Sequence, residues 1–388
     1  MKTLFNSNLY PLSKIDRHDF RISWLRLARC KNVGPRTFIE LIKLFGHPKT
    51  ALENLNSFAK RGGAKNTILI PSKSSIEEEI EQTEKVGAKI IFACDQLYPK
   101  SLLQIPDFPP VIIVKGNIEL LKGNKFAIVG ARNSSINGIK IARDFSKDIG
   151  KAGYIITSGL AKGIDAAAHD SAIDLGTIGV IAGGIDHIYP KENRSLFYKL
   201  YEKGLIITEQ TIGQTIQAKH FPRRNRIIAG LSLGVLIVEA AKKSGSLITA
   251  RLAAEYNREV FAIPGSPLDV KCHGTNALIK QGANLVQFSS DIITYLDSMM
   301  YNKFTELNDN TTAFEKHHHN TPTESELEKY RNKLVEKISY SPVEIQDILE
   351  ELDIPINVLN YLFIELELAG RLNRMYGNRV CLIDPVVL

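Results

Sequence analysis

The 388-residue chain is 44% hydrophobic and 23% charged, ordinary for a soluble globular protein and long enough for two or three domains. Its net charge of +7 is a mild bias towards polyanionic partners that establishes none by itself. Cys30, Cys94, Cys272 and Cys381 form no CxxC pair, which excludes a zinc knuckle or disulfide framework, and no apolar run approaches the roughly 18 residues of a membrane span.

The opening MKTLFNSNLYPLSK lacks the apolar core of a signal peptide, so a cytoplasmic protein with reduced thiols is expected. Residues 1–75 read as a small helical domain, with RISWLRLARC, TFIELIKLFG and TALENLNSFAKR each apolar at helical spacing. The link KNVGPRTF fits either a helix-hairpin-helix turn, whose glycine lets backbone amides approach a phosphate, or a plain corner between helices.

Residues 80–300 alternate apolar strand candidates with helices. The strands are KFAIVG, YIITSG, TIGVIAGG, LIITEQ, LGVLIVEA and EVFAIPG; between them lie GIKIARDFSKDIGKAG, DAAAHDSAIDLG, SLFYKLYEKG and SLITARLAAEYN. Strands that are apolar throughout and joined by helices predict a Rossmann-like, doubly wound parallel sheet covered on both faces, an α/β fold.

Residues 301–325 are polar and aperiodic and read as a linker, in which His317–His319 are more simply solvated than metal-bound. Residues 326–388 carry three helical patterns and a hairpin turning at Gly377-Asn378, the pattern of a winged helix. Within it SPVEIQDILEEL predicts Ser341 as N-cap, Pro342 at the first helical position and Glu344 closing a capping box.

In an open parallel sheet, ligands bind where strands end and helix N-termini begin. The loops after four strands, beginning ARNSSING, LAKGID, IDHIYPKEN and AKKSGSLIT, hold glycine or hydroxyl residues, and each carries Lys or Arg. Backbone amides, hydroxyls and the charges of Arg132, Lys162, Lys243 and the 223–226 cluster together predict an anion site. Neither GxGxxG nor GxxxxGK[ST] is present, so a dinucleotide or a Walker-bound ATP is not indicated, and no cofactor is expected. Arg223, Arg224 and Arg226 beside Phe221 suit an extended phosphate backbone with bases stacked nearby. Catalysis has little support. His169 fits a polar-face or capped histidine and Asp165 an N-cap, while Glu209 and Glu239 fit carboxylates holding neighbouring arginines.

Taken together, IVGARNSS, SGLAKGIDAAAH, GGIDHIYPKEN, FPRRNRIIAGLS, VEAAKKSGSLITARLAAEYNREVFAIPG and GTNALIKQGA resemble the DNA-processing protein A family (DprA, also called Smf) over about residues 90–290. The flanking segments resemble the SAM-like, helix-hairpin-helix N-terminal domain and winged helix of that family's longer members. The resemblance implies a non-enzymatic protein that binds and protects incoming single-stranded DNA during natural transformation. It would then load RecA recombinase onto the strand, acting as a homodimer built on the Rossmann-like domain. It carries DNA-binding roles onto Gly130, Arg132 and Ser134, then Gly159, Lys162 and Gly163. A further set is Phe221, Arg223, Arg224, Asn225 and Arg226, with Lys243 and Ser246 in the last loop. Lys162 stands where the family usually has Arg, losing the guanidinium fork, and Ala131 where it usually has Ser.

From Glu324 to Leu388 there are 7 Lys and Arg against 12 Asp and Glu, net −5, and the expected recognition helix, 353–370, carries no cation. A helix entering a DNA groove needs cations, so this domain is expected not to bind DNA on its own but to contact protein, despite Arg371, Arg374 and Arg379 on the wing. Two other functions compete. A phosphoribohydrolase-like nucleotide hydrolase would need a PGGxGT loop and catalytic Glu, which AGLSLGVLIVEAAKKSGS lacks; a duplex-reading regulator would need a basic recognition helix.

Overall fold

The computed structural model describes residues 14–306, 324–375 and 377–383. Those between 79 and 311 form one compact unit, and those before 79 and after 311 together form a second. The elements begin with helices α1 (Lys14–Ala28), α2 (Pro35–Phe45), α3 (Pro48–Arg61) and α4 (Lys73–Lys85), then strands β1 (Lys89–Phe92) and β2 (Val111–Gly116). The alternating region follows: β3 (Lys125–Val129), α5 (Ile136–Lys151), β4 (Ile155–Ser158), α6 (Ile164–Ala172), β5 (Thr177–Val180), α7 (Arg194–Glu202) and β6 (Leu205–Thr208). It continues with α8 (His220–Leu231), β7 (Gly234–Ile237), α9 (Ser246–Glu255), β8 (Glu259–Ala262), α10 (His273–Lys280), β9 (Asn284–Leu285) and α11 (Ser289–Glu306). The last elements are α12 (Glu324–Lys337), β10 (Val343–Glu344), α13 (Ile345–Leu352), α14 (Ile356–Leu368), β11 (Leu372–Met375) and β12 (Arg379–Leu382).

The six expected strands are present as β3 to β8 in a nine-stranded sheet of order β1-β2-β6-β5-β4-β3-β7-β8-β9. Pairing is parallel from β6 through β9, whereas β2 runs antiparallel to β6 and β1 to β2, so the sheet is mostly rather than wholly parallel. Side chains alternate between two covered faces. Phe126, Ile128, Ile156, Leu236 and Phe261 share one core cluster with Ile149 of α5, Ala168 of α6 and Leu296 of α11. Ala127, Val235 and Ile237, pointing the other way, are equally buried.

The second unit joins the two ends of the chain. Helix α2 starts at Pro35 after Gly34 and stops at Gly46, whose φ of 71° is the left-handed cap only glycine takes cheaply. Helices α12 to α14 and the three-stranded sheet β10-β12-β11 make the winged helix, with α14 in the recognition position. The expected capping box is not formed. Val343 and Glu344 are drawn into the sheet opposite Val380 and Arg379, so α13 begins only at Ile345. Of the expected linker, residues 301–306 continue α11; residues 307–323, with His317–His319, lie outside the described residues.

Helix α14 packs against α2 and α3. Glu365, fully buried, forms ion pairs with Arg61 Nε at 2.9 Å and Arg331 Nη2 at 2.8 Å. Glu367 accepts a hydrogen bond from Thr37 Oγ1 at 3.2 Å and pairs with Arg374 Nε at 2.9 Å. In the hairpin turn Asn32 donates to the Leu368 carbonyl at 3.1 Å, and the Phe58 and Tyr361 rings meet at 5.1 Å. A Cβ on Gly62 would collide with the Glu365 carbonyl, so the close approach of α3 and α14 requires glycine there. The recognition helix thus packs on the N-terminal helices of the same chain.

Removing one partner of a buried ion cluster strands the others, so Glu365→Ala should cost this unit about 3 kcal/mol. Trp24, the chain's only tryptophan and 1% exposed, lies in this unit and reports on it: its fluorescence should move to lower urea in the variant. An unshifted midpoint would mean the cluster does not hold α14 to α3.

Candidate functional site

The central strand β3 pairs with β4 on one side and β7 on the other. The chain passes from β3 through α5 to β4, but reaches β7 only from β6 through α8. The loops after β3, β4 and β7 therefore diverge at a topological switch point, where open α/β sheets place their ligands.

Helix α8 carries the arginine cluster into this region, but its three arginines have different fates. Arg224 is 6% exposed and lies under the second loop. Its Nη1 donates to the carbonyls of Gly159 and Val180, the latter at 2.6 Å, and its Nε donates to Asn225 Oδ1 at 3.1 Å. Burial lowers its pKa to about 10, against the pull of the Asp165 carboxylate. Any side chain at Gly159 would strike this guanidinium. Arg226 is 3% exposed; it pairs with Glu209 and donates to the Asp107 carbonyl at 2.5 Å. The sequence placed Arg226 in the DNA site; instead its guanidinium is spent inside the protein. Only Arg223 of the three is exposed.

A pocket opens between the second loop and the start of α8, lined by Arg132, Gly159, Leu160, Ala161, Lys162, Ile181, Ala182, Tyr189, Pro190, Ile216, Phe221 and Arg224. The Arg132 guanidinium lies 5.0 Å from the centroid of the Phe221 ring, and that ring is 5.9 Å from Tyr189. Lys162 pairs at the surface with Glu192, whose pKa this contact lowers. Asn193 holds the second loop in place through the carbonyls of Leu160 and Ala161, at 2.9 and 3.1 Å.

The expected residues Arg132, Gly159, Lys162, Phe221 and Arg224 come together here. Gly130, Ser134, Gly163, Arg223, Asn225, Arg226, Lys243 and Ser246 are not in the lining. Gly163 matters for shape: its φ is 76° and a Cβ would strike the Ala131 carbonyl, so it brings the first two loops together. Asn225 and Ser246 are buried; Asn225 donates to the Gly245 carbonyl at 3.3 Å and Ser246 Oγ lies 2.7 Å from Ser244 Oγ. Lys243 is exposed in the loop after β7. The sequence reasoning missed Tyr189, Pro190 and Ile216. The motif GGIDHIYPKEN held a signal, an exposed tyrosine in a loop after a strand, that went unused.

The loop amides do not do what the sequence suggested. Asp165 is not the N-cap of α6, a position Gly163 holds; its carboxylate accepts from the amides of Gly159 at 3.2 Å and Ala161 at 3.4 Å. Glu239 holds no arginine; it accepts from the Ser135 amide at 2.9 Å and from the Ser135 hydroxyl. His169 is fully buried rather than on a polar face, its Nδ1 2.7 Å from Thr177 Oγ1. Thr177 spends its own proton on the Ile156 carbonyl, so the imidazole donates from Nδ1.

This fold and this cleft define a class: a Rossmann-like domain whose switch point is equipped with arginine, lysine and aromatic rings rather than with a dinucleotide fingerprint. The chain belongs to the DNA recombination-mediator protein A family, whose profile matches residues 89–297, with a DprA-like N-terminal HHH domain at 18–81 and a DprA winged helix domain at 318–378. It is 44% identical over 213 residues to the DNA processing protein DprA of Bacillus subtilis, covering 54% of this chain and 72% of that one. It is 35% identical over 292 residues to Protein Smf of Synechocystis, covering 71% and 72%. The crystal structure of DprA from Streptococcus pneumoniae superposes with a TM-score of 0.59 at 32% identity, covering 71% of this chain and 97% of that one. A Helicobacter pylori DprA structure, described as showing a single-stranded DNA binding mode, gives 0.51 at 29% identity, covering 54% and 96%.

His169 ties stability to pH. Burial lowers its pKa from 6.5 to about 3, so below 6.5 the unfolded chain binds a proton the folded chain refuses. Stability therefore falls as pH drops from 6.5 towards 3, by up to about 1.4 kcal/mol per pH unit from this group. His169→Gln should flatten the fall in urea midpoint, followed by circular dichroism, between about pH 7 and 5; an unchanged slope would place the linkage elsewhere.

Proposed function

We propose that this protein binds single-stranded DNA at the switch-point cleft and passes the strand to RecA recombinase, acting in the cytoplasm as a homodimer through its Rossmann-like domain and without catalysing a reaction. The observation that carries the binding step is the arrangement of Arg132, Phe221 and Tyr189: a guanidinium over one ring, with a second ring beside it, at the mouth of a pocket edged by Lys162. A strand offers phosphates to the cations and unpaired base faces to the rings, whereas a duplex keeps its bases stacked inside. The pocket lining contains two arginines and one lysine but no Asp, Glu, His or Cys, a set suited to holding phosphate. Exposed Arg223 and Lys243 extend the positive edge beyond the pocket. Family membership supports RecA as the recipient, and the Helicobacter pylori relative supports single-stranded DNA as the ligand.

Fluorescence anisotropy with labelled single-stranded and duplex oligonucleotides across a salt series tests the binding step. Arg132 and Lys162 are the cations to remove, because Arg224 is structural. Arg132→Ala/Lys162→Ala should weaken single-strand binding at least about tenfold and make its log–log salt slope shallower by about 1.4, the share of two phosphate contacts. Equal binding by variant and parent, or a preference for duplex, would overturn the assignment.

A further inference from the structure

The cleft contains a second anion position, which the protein fills itself. Strand β3 is the central strand of the doubly wound sheet, and α5 is the first helix to leave the switch point. In this topology the N-terminus of that helix is where a nucleotide's phosphates sit, on free amides and the positive end of the helix dipole. Here the position is occupied. Glu239, 6% exposed at the end of β7, places its carboxylate against the Ser135 amide at 2.9 Å and the Ser135 hydroxyl. Ser135 is the N-cap of α5, and its Oγ in turn accepts from the Gly138 amide at 2.9 Å.

Gly138 supplies an independent observation. It is the third residue of a 16-residue helix, a place where glycine costs about 1 kcal/mol relative to alanine. A Cβ there would lie 2.5 Å from the Glu239 carboxyl carbon. The sequence therefore gives up helix propensity at the one position where a methyl group would expel this carboxylate. The second loop repeats the device, with Asp165 taking the amides of Gly159 and Ala161.

We propose that Glu239 is a specificity-determining residue: a built-in anion that occupies the phosphate position of the Rossmann-like fold and keeps free phosphates and mononucleotides out of it. Binding is thereby left to side-chain cations spread along the cleft. A polymer with many phosphates gains from several of them, whereas a mononucleotide, lacking the amide cradle, gains from one or two. That preference for a strand over free nucleotides rests on the strand-binding function proposed above; the occupancy of the position by Glu239 does not.

The test uses the full-length protein in an Arg132→Ala/Lys162→Ala background, so that the two exposed pocket cations contribute nothing, with inorganic phosphate as the probe. Adding Glu239→Ala vacates the position, and equilibrium dialysis should show phosphate uptake about tenfold above the background protein, approaching one per chain. Adding Glu239→Gln instead keeps the position filled: the amide oxygen accepts from the Ser135 N–H and the amide N–H donates to its Oγ. Phosphate should then raise the thermal midpoint of the Ala protein and leave that of the Gln protein unmoved, a readout that serves even if the Ala protein is less stable. Equal responses in both, or none in either, would overturn the proposal. Loss of single-strand binding belongs to the separate anisotropy measurement on the parent, so the two ideas fail independently.

Discussion

The Arg224 guanidinium is the tie on which the cleft depends. It sits beneath the loop after β4, bonded to the carbonyls of Gly159 and Val180 and facing the Asp165 carboxylate. Those two carbonyls belong to the ends of adjacent parallel strands, so one side chain from α8 sets the spacing of two loops. The buried charge is tolerable because carbonyl oxygens and a carboxylate replace its water. Its pKa is lowered to about 10, which still leaves it cationic at neutral pH. Gly159 follows from this arrangement, since any Cβ there would displace the guanidinium. Beside that platform the Arg132 guanidinium lies over the half-buried Phe221 ring.

A consequence is a division of labour between backbone and side chains. In a nucleotide-binding Rossmann fold the loop amides and the helix dipole bind the anion, and side chains refine the choice. In this cleft the Ser135, Gly159 and Ala161 amides are already satisfied by Glu239 and Asp165. The amides of these loops are thereby engaged without ligand, and under the proposed function the attraction for phosphate falls to the exposed cations on their surfaces. Such binding is screened by salt and grows with the number of phosphates engaged, which suits a long flexible polyanion better than a small one.

The α/β domain was legible in the sequence because six apolar strands alternate with amphipathic helices, and that alternation admits few topologies. Strands β1 and β2 escaped because no helix separates them: KIIF and VIIVKG join as an antiparallel pair on the edge, outside the pattern used to find the others. The loops at the carboxyl ends of the strands were also legible, and they do converge. Charge alone, however, could not tell inward from outward arginines. PRRNR gives Arg223, Arg224 and Arg226 the same appearance, and only the register of α8, which turns Arg224 and Arg226 into the protein, separates them. Carboxylates misled for a related reason. Glu239 looked like a partner for arginine and Asp165 like an N-cap, whereas their main partners are backbone amides, which a sequence does not display. The capping box at Ser341 failed because a two-residue strand pairing outcompeted a local cap.

The terminal unit shows how far charge can be read when the whole pattern is used. Residues 1–75 carry 14 Lys and Arg against 4 Asp and Glu, whereas the winged helix is net −5. A recognition helix bound for a DNA groove must face phosphates and needs cations; one bound for a basic protein surface needs carboxylates. Helix α14 has the second composition, and the structure uses it that way. Glu365 meets Arg61 as well as Arg331, Glu367 meets Thr37 of the N-terminal helices, and the hairpin residue Asn32 is spent on the Leu368 carbonyl. The recognition helix, which in isolation most resembles a duplex-binding device, is therefore packed on the N-terminal helices, and the helical hairpin contributes Asn32 to that contact. Under the proposed function, the charge that meets nucleic acid lies at the edge of the α/β sheet, where Arg132, Arg223 and Lys243 are exposed.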